Sequence, residues 1–136
     1  MFSKQTLLAT LLGGLTLYFL GWIFYGIVGV DFFSSNTLID IPERMDMAAI
    51  ALGCVIEAFF LANLFRRWTH DEISIFEGFQ FGVWIGLFLG FGTGIVSYGT
   101  YEMHTLNVHL VDAAWSVVFY GLTGLIIAWS FRLMRE

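Results

Sequence analysis

Four long apolar segments constrain the fold of this chain more than any other feature of its sequence. They cover approximately residues 6–30, 45–65, 76–98 and 108–133. A helix needs about 20 mostly apolar residues to cross the hydrocarbon core of a membrane, and each segment meets that length. The strands of a membrane barrel would be about ten residues long with alternating polarity, and no segment alternates in that way. We therefore expect an all-α bundle of four transmembrane helices.

The scarcity of charge agrees with this interpretation. Only 12% of the residues are charged, whereas a soluble domain is about one-quarter charged, so this chain has too few charges to coat a water-exposed surface. The formal net charge of −5 leaves no basic face for nucleic acid. The one cysteine, Cys54, excludes an internal disulfide, a paired-cysteine redox motif and a four-cysteine zinc site.

The connections between the apolar segments are too short to contain a second domain, so residues 1–136 are expected to form a single integral membrane domain. The first segment is longer than the core of a signal peptide, which spans about 7–15 residues. No Ala-x-Ala cleavage site follows it either. We expect this segment to remain as the first helix.

Basic residues fall almost entirely on one side of a four-span arrangement. Five lie on the side that holds both termini, namely Lys4, Arg66, Arg67, Arg132 and Arg135. Arg44 lies on the other side. Because cytoplasmic loops carry an excess of Lys and Arg, both termini are expected to be cytoplasmic.

The third apolar segment carries a row of glycines at every fourth position, which are Gly78, Gly82, Gly86, Gly90 and Gly94. Glycine costs about 1 kcal/mol relative to alanine inside a helix, so five in register indicate a packing requirement. Such a glycine zipper forms a smooth groove that another backbone can approach closely. Three neighbours are compatible with it: a helix of the same chain, a second subunit, or the lumen of a pore.

Polar and small residues form one helical face in three of the four segments. The last segment carries His109, Asp112, Ser116, Tyr120 and Thr123. The second carries Asp46, Ala49, Gly53 and Glu57, and the first carries Thr10, Gly14, Tyr18, Gly21, Trp22 and Tyr25. Because polar groups are costly against acyl chains, these faces are expected to converge inside the bundle or to face a partner subunit.

Glu57 is the most informative single residue. It follows Asp46 by about 16 Å along a helix with a rise of 1.5 Å per residue, and so lies near the middle of the bilayer. A carboxyl group at that depth must be protonated, paired or in contact with water. Its candidate hydrogen-bond partners are Tyr18, Ser116, Tyr120 and Thr123. Glu57 then fixes the helix register as a neutral group, couples to a proton or cation, or lies in a partner interface.

A second polar group is expected at the end of the bundle opposite the termini, formed by Asp46, Glu102, His104, His109 and Asp112. His109 and Asp112 share a helix face, so a hydrogen bond between them is expected. Imidazole and carboxylate groups also bind zinc and other divalent ions. There is no His-Glu-x-x-His motif, however, and no metal site is predicted.

Thr69 and Glu72 have the spacing of a capping box, in which both side chains satisfy the first N–H groups of a helix. This spacing predicts that the third helix begins near Thr69, ahead of its apolar segment. Its first turn would then lie at the membrane interface.

A faint internal repeat relates the two halves of the chain. Tyr25-Gly26 ends the first segment and Tyr98-Gly99 ends the third, while Asp46-Met-Ala-Ala opens the second and Asp112-Ala-Ala opens the fourth. Two parallel helical hairpins, related by an axis along the membrane normal, would produce this pattern.

Three short stretches resemble a group of small bacterial four-helix membrane proteins of unknown function: Leu20-Gly-Trp-Ile-Phe-Tyr-Gly, Tyr98-Gly-Thr-Tyr and Val111-Asp-Ala-Ala-Trp. In that group a Gly-Trp-x-x-Tyr-Gly pattern recurs near the end of the first helix, and an acidic residue recurs in the last. The resemblance covers nearly the whole chain and implies a four-helix fold in the bacterial cytoplasmic (inner) membrane. It implies no activity and no role for any residue.

The leading functional interpretation is a non-enzymatic accessory, structural or oligomer-forming membrane subunit. It is based on the glycine row and on the lack of a soluble catalytic domain in the sequence. No nucleophile elbow, P-loop or dinucleotide-binding motif occurs, so no catalytic residue and no cofactor are predicted. The expected partners are the lipid bilayer and either a homo-oligomer or a larger membrane complex.

Two alternatives assign chemistry to the polar residues. The first is a proton- or cation-coupled small transporter or channel, with Glu57 at the midplane and Asp112 with His109 at the outer mouth. The second is an intramembrane enzyme that acts on lipid or quinone through Glu57, Asp112, His109 and Tyr120.

Overall fold

The computed structural model describes residues 2–39, 46–70 and 72–134, and its regular secondary structure in these ranges is helical, with no strand. The helices are α1 (Lys4–Val28), α2 (Val30–Ser35), α3 (Met47–Trp68), α4 (Ile75–Thr100) and α5 (Leu106–Leu133). All except the short α2 are long and apolar enough to cross a membrane, which indicates a multi-pass membrane protein. The predicted all-α architecture with four candidate spans is confirmed.

Two of the long helices contain a π-helical stretch. In α1 it covers Phe24–Val28, at the end of the helix. In α4 it covers Leu87–Thr93, between the α-helical stretches Ile75–Gly86 and Gly94–Thr100. Such stretches are rare and are frequently found at functional sites.

Side-chain caps fix where α3 and α4 begin. The carboxylate of Asp46 accepts a hydrogen bond from the Ala49 N–H over 3.0 Å. The hydroxyl oxygen of Ser74 accepts one from the Phe76 N–H over 3.2 Å. Each bond satisfies an N–H group that has no partner within its own helix.

The predicted start of the third helix at Thr69 is wrong. The Thr69 N–H donates to the Phe65 carbonyl over 2.9 Å and so closes the end of α3. Its hydroxyl donates to Glu77 over 3.2 Å rather than engaging Glu72. Because Thr69 is already used at the end of α3, the helix that follows is capped farther along the chain, by Ser74.

The long helices pack antiparallel to their neighbours. α4 packs along α5, and α1 packs against both α3 and α5. We call the end formed by Lys4, Trp68, Ile75 and Leu133 the terminal end, and the end formed by Val28, Met47, Thr100 and Leu106 the far end. Two backbone hydrogen bonds join the far-end connections, from Leu38 N–H to the Met103 carbonyl over 2.8 Å and from Thr105 N–H to the Asn36 carbonyl over 3.2 Å.

The best-packed part of the interior lies in the half of the bundle nearest the terminal end. Its largest fully buried apolar side chains are Leu17, Phe65, Ile127 and Phe131. Lipid tails are as apolar as these side chains, so van der Waals contact rather than removal from water stabilises this core. The terminal half is therefore the closed half of the bundle.

The basic residues Lys4, Arg66, Arg67 and Arg132 lie at or near the terminal end, as their sequence positions require. Arg44 and Arg135, which also entered the orientation argument, lie outside the described residues. The direction in which the bundle inserts into a membrane stays a prediction.

Four glycines of the predicted row face α5. They are Gly78, Gly82, Gly86 and Gly90, and a Cβ atom on any of them would lie closer than 3.0 Å to backbone atoms of α5. Gly124 of α5 faces Gly78 in return, so two backbones approach each other without side chains between them. Gly94 lies apart from this contact, because the π-helical stretch Leu87–Thr93 alters the helical register before it.

Candidate functional site

A cavity of about 510 Å³ lies between α1, α3 and α5, in the half of the bundle nearest the far end. We call it the first cavity. It lies beside the first half of α3, whereas the buried residues of that helix, Ala58, Leu61, Ala62 and Phe65, are all in its second half. None of the described residues from Met47 to Glu57 is buried. The first half of α3 thus leaves a space that reaches from Met47 down to Glu57 and Leu17.

Glu57 lies on the wall of the first cavity, and its side chain is exposed. The Tyr120 hydroxyl of α5 donates a hydrogen bond to Glu57 Oε2 over 3.2 Å. Tyr120 was one of the four predicted partners. Ser116 and Thr123 instead donate to carbonyl oxygens four residues earlier in their own helix, each over 2.8 Å. Tyr18 lines the same cavity on α1.

Asp112 lies closer to the far end and also lines the first cavity. Its carboxylate accepts a hydrogen bond from the hydroxyl of Tyr25, in the π-helical stretch of α1. Phe24 stacks on Trp115 of α5 with ring centroids 4.2 Å apart, which ties the two helices together beside this bond. The predicted hydrogen bond between His109 and Asp112 is absent from the described part of the chain. Tyr25, and not His109, is the hydrogen-bond partner of the Asp112 carboxylate.

A second cavity, of about 580 Å³, extends from Asp112 toward the far end. His104 and His109 line it, with ring centroids 6.1 Å apart. Both cavities are lined by Tyr25, Leu89, Thr93 and Asp112. The hydrogen-bonded pair of Tyr25 and Asp112 therefore stands between the two spaces.

The histidines of the second cavity have no metal-binding arrangement around them. Within residues 2–39, 46–70 and 72–134, no three His, Cys, Asp or Glu side chains are placed to hold a metal ion together. His109 Nε2 is buried and has no hydrogen-bond partner among those residues. Its ring packs edge-on against Tyr98, at 5.5 Å between centroids.

Asp46 is separated from the other predicted site residues. It caps α3, and it is not among the described residues that line either cavity. The face of α3 that lines the first cavity carries Met47, Ile50, Cys54 and Glu57. The predicted face of α3 passes through Ala49 and Gly53, which do not line this cavity. A Cβ atom on Gly53 would have no neighbour within 4 Å. This half of α3 instead approaches α1 through Cys54 and Val55, whose backbone atoms lie 3.5–3.6 Å from where a Cβ atom on Gly14 would be.

Aromatic side chains form much of the wall of the first cavity. Among the described residues they are Tyr18, Trp22, Tyr25, Phe119 and Tyr120. The sequence placed Trp22 and Tyr25 on the polar face of the first segment but did not include them in the site. The signal that identifies them is their helical spacing from Tyr18, which puts all three on one face of α1.

The chemistry available in the first cavity follows from its charges. Its described lining contains Glu57 and Asp112 and no Lys, Arg or His. A carboxyl group that faces open space between apolar walls can exchange a proton or attract a cation, since Coulomb attraction is stronger there than in water.

Comparison of the chain with protein-family models, with curated proteins and with solved structures found no match. The resemblance to small bacterial four-helix membrane proteins therefore stays a prediction based on three short stretches.

Proposed function

We propose that this chain moves a proton or another cation across a membrane and that Glu57 is the binding group. One observation supports this above all others: the Glu57 side chain is exposed to a cavity of about 510 Å³ instead of being enclosed by packed neighbours. A glutamate that only fixed helix register could do so while enclosed by hydrogen-bond partners, whereas a group that binds a cation must be reachable from an open space.

In this proposal the second cavity is the entrance. A cation arriving from the far end passes His104 and His109, and then meets Asp112 and its partner Tyr25. Tyr25 and Asp112 line both cavities and therefore lie on the path from the entrance to Glu57.

The route continues only if the terminal half of the bundle opens. Beyond Glu57 the interior is filled by Leu17, Phe65, Ile127 and Phe131, each nearly or fully buried. A cation cannot cross that core while the helices stay packed. We therefore favour a transporter that changes conformation over a permanently open channel.

The proposed location is the bacterial cytoplasmic (inner) membrane, with both termini in the cytoplasm and the far end outside. Support comes from the basic residues at the terminal end and from the sequence resemblance. The contacts of α1 with α3 and of α4 with α5 are also compatible with two parallel helical hairpins.

The oligomer-forming accessory role has less support than the transport role. It was based on the glycine row and on the lack of a soluble catalytic domain, and four glycines of the row face α5 of the same chain. We propose that the row serves to pack α4 on α5. A homo-oligomer, if one forms, would use another surface.

Proton movement in proteoliposomes tests the proposed function. An inside-negative potential is imposed with potassium and valinomycin, and a pH-sensitive dye reports internal acidification by the wild type, Glu57→Gln and Glu102→Gln. Glu102 is an exposed carboxylate in the α4–α5 connection, so it is the matched control. Losing a charge-assisted interaction costs about 1.5–3 kcal/mol, so Glu57→Gln should lower the rate by at least about tenfold, while Glu102→Gln should not.

Two results would contradict the proposal. One is a wild-type rate equal to that of empty vesicles when protons, sodium and potassium are each tested. The other is equal flux through the wild type and a correctly folded Glu57→Gln protein.

A further inference from the structure

We infer that the first cavity binds organic cations that carry one positive charge on an aromatic or alkyl body. This inference rests on the proposed function and names the class of solute that shares the Glu57 site with the proton. Its grounds are the charge, the wall chemistry and the volume of the cavity.

The charge of the cavity selects cations over anions and neutral molecules. Glu57 and Asp112 both line it, and its described lining is free of basic side chains. In the sequence, no Lys, Arg or His occurs at the depth of Glu57 in any of the four spans. A positively charged solute would therefore supply the compensating charge that the protein itself does not place beside Glu57.

The aromatic walls select cations with diffuse charge. Tyr18 and Trp22 lie on α1, and Phe119 and Tyr120 lie on α5, so two helices contribute aromatic surfaces to the cavity. Aromatic rings attract cations through their faces, most strongly for Trp, and the attraction grows when water is excluded. The same surfaces make van der Waals contact with aromatic or alkyl groups of a bound solute.

Metal ions fit this cavity less well. Ca²⁺ and Mg²⁺ need six or more oxygen ligands at short distances, and the walls between the two carboxyl groups include apolar residues such as Leu17, Ile50 and Leu89. These walls cannot replace a tightly held hydration shell. An organic cation is weakly hydrated, and about 510 Å³ lies within the range of roughly 300–1,000 Å³ that is typical of small-molecule sites.

A proton and an organic cation should compete for Glu57. Among the described residues, the titratable groups that line the cavity with Glu57 are Tyr18 and Tyr25 of α1, Asp112 and Tyr120 of α5, and Cys54 of its own helix, while α4 contributes Leu89 and Thr93. Protonation of Glu57 removes the charge that attracts the solute. Affinity for the cation should therefore fall as the pH is lowered, and cation binding should release a proton.

Tetraphenylphosphonium tests the inference on the detergent-purified full chain by isothermal titration calorimetry. Triphenylphosphine oxide is the uncharged comparison, because it keeps the aromatic groups and lacks the positive charge. We expect the phosphonium to bind, and its affinity to drop by at least about tenfold in Glu57→Gln, with Glu102→Gln unchanged. The uncharged compound should bind at least about tenfold more weakly than the phosphonium.

A second variant keeps the test decisive if Glu57→Gln does not fold. Trp22 is 50% exposed, so Trp22→Leu removes an aromatic wall without disturbing the packed core. It should weaken phosphonium binding several-fold while both carboxyl groups remain.

The outcomes separate the ligand class from the proposed function. Equal phosphonium affinity in the wild type and Glu57→Gln, or equal affinity for the uncharged compound, would overturn the ligand class. Proton flux with no phosphonium binding would overturn the ligand class and leave the proposed function standing. Binding that depends on Glu57 in a protein without flux would support the ligand class and contradict the proposed movement of protons.

Discussion

The hydroxyl of Tyr120 donates a hydrogen bond to Glu57 Oε2 over 3.2 Å, and so joins α5 to α3 at the place where the packed half of α3 ends. Ala58, the next residue, is 0% exposed, whereas Glu57 itself is exposed. Glu57 thus lines the first cavity at the depth where the buried residues of α3 begin.

Tyr120→Phe should lower the free energy of unfolding by about 0.5–1.5 kcal/mol, since it deletes one interhelical hydrogen bond to a carboxyl group. Reversible unfolding in mixed micelles measures the change. Tyr18→Phe is the matched control, because Tyr18 lines the same cavity and its hydroxyl has no hydrogen-bond partner among the described residues. Equal losses in both variants would show that the Tyr120 bond does not stabilise the bundle.

Gly82→Ala should destabilise the protein by about 1–3 kcal/mol, because the added Cβ atom would collide with the backbone of α5 at Tyr120 and Gly121. Gly53→Ala makes the same change where no atom lies within 4 Å, and should be neutral or stabilising by up to about 1 kcal/mol. Unfolding midpoints of the two variants and the wild type give the comparison. A Gly82→Ala protein as stable as the wild type would contradict the α4–α5 contact.

Cys54 provides a native reporter of the charge in the first cavity, because it lines that cavity and is the one cysteine of the sequence. A cationic methanethiosulfonate reagent should modify it several-fold faster than an anionic reagent of similar size, owing to attraction by Glu57 and Asp112. The difference should shrink in Glu57→Gln. Mass spectrometry of timed samples measures both rates, and a faster reaction with the anionic reagent would contradict the assigned charge.

The spans of this bundle could be predicted from the sequence because membrane crossing depends on local hydropathy and length. The predicted third span, residues 76–98, lies within α4, Ile75–Thr100. The start of α4 could not be assigned from capping chemistry alone, because Thr69 and Ser74 are both suitable caps and Thr69 is used at the end of α3. The π-helical stretches Phe24–Val28 and Leu87–Thr93 were not predicted.

Part of the site could likewise be predicted. The depth of Glu57 and the helical phase of Tyr120 are properties of single helices, and they indicated a bond that the structure contains. The partner of Asp112 was missed because Tyr25 lies 87 positions away in the sequence. The cavity itself was missed because it depends on how α1, α3 and α5 are placed relative to one another, which periodicity does not encode.

Infrared difference spectroscopy of the protein in lipid bilayers tests most directly whether Glu57 exchanges protons with the solution. The account predicts a C=O stretching band of a protonated carboxyl group that disappears as the pH is raised and shifts after transfer to deuterated water. This band should be absent from Glu57→Gln and present in Asp112→Asn. A Glu57 band that stays unchanged at every pH and is insensitive to deuterium exchange would show a sealed, structural carboxyl group and would contradict the account.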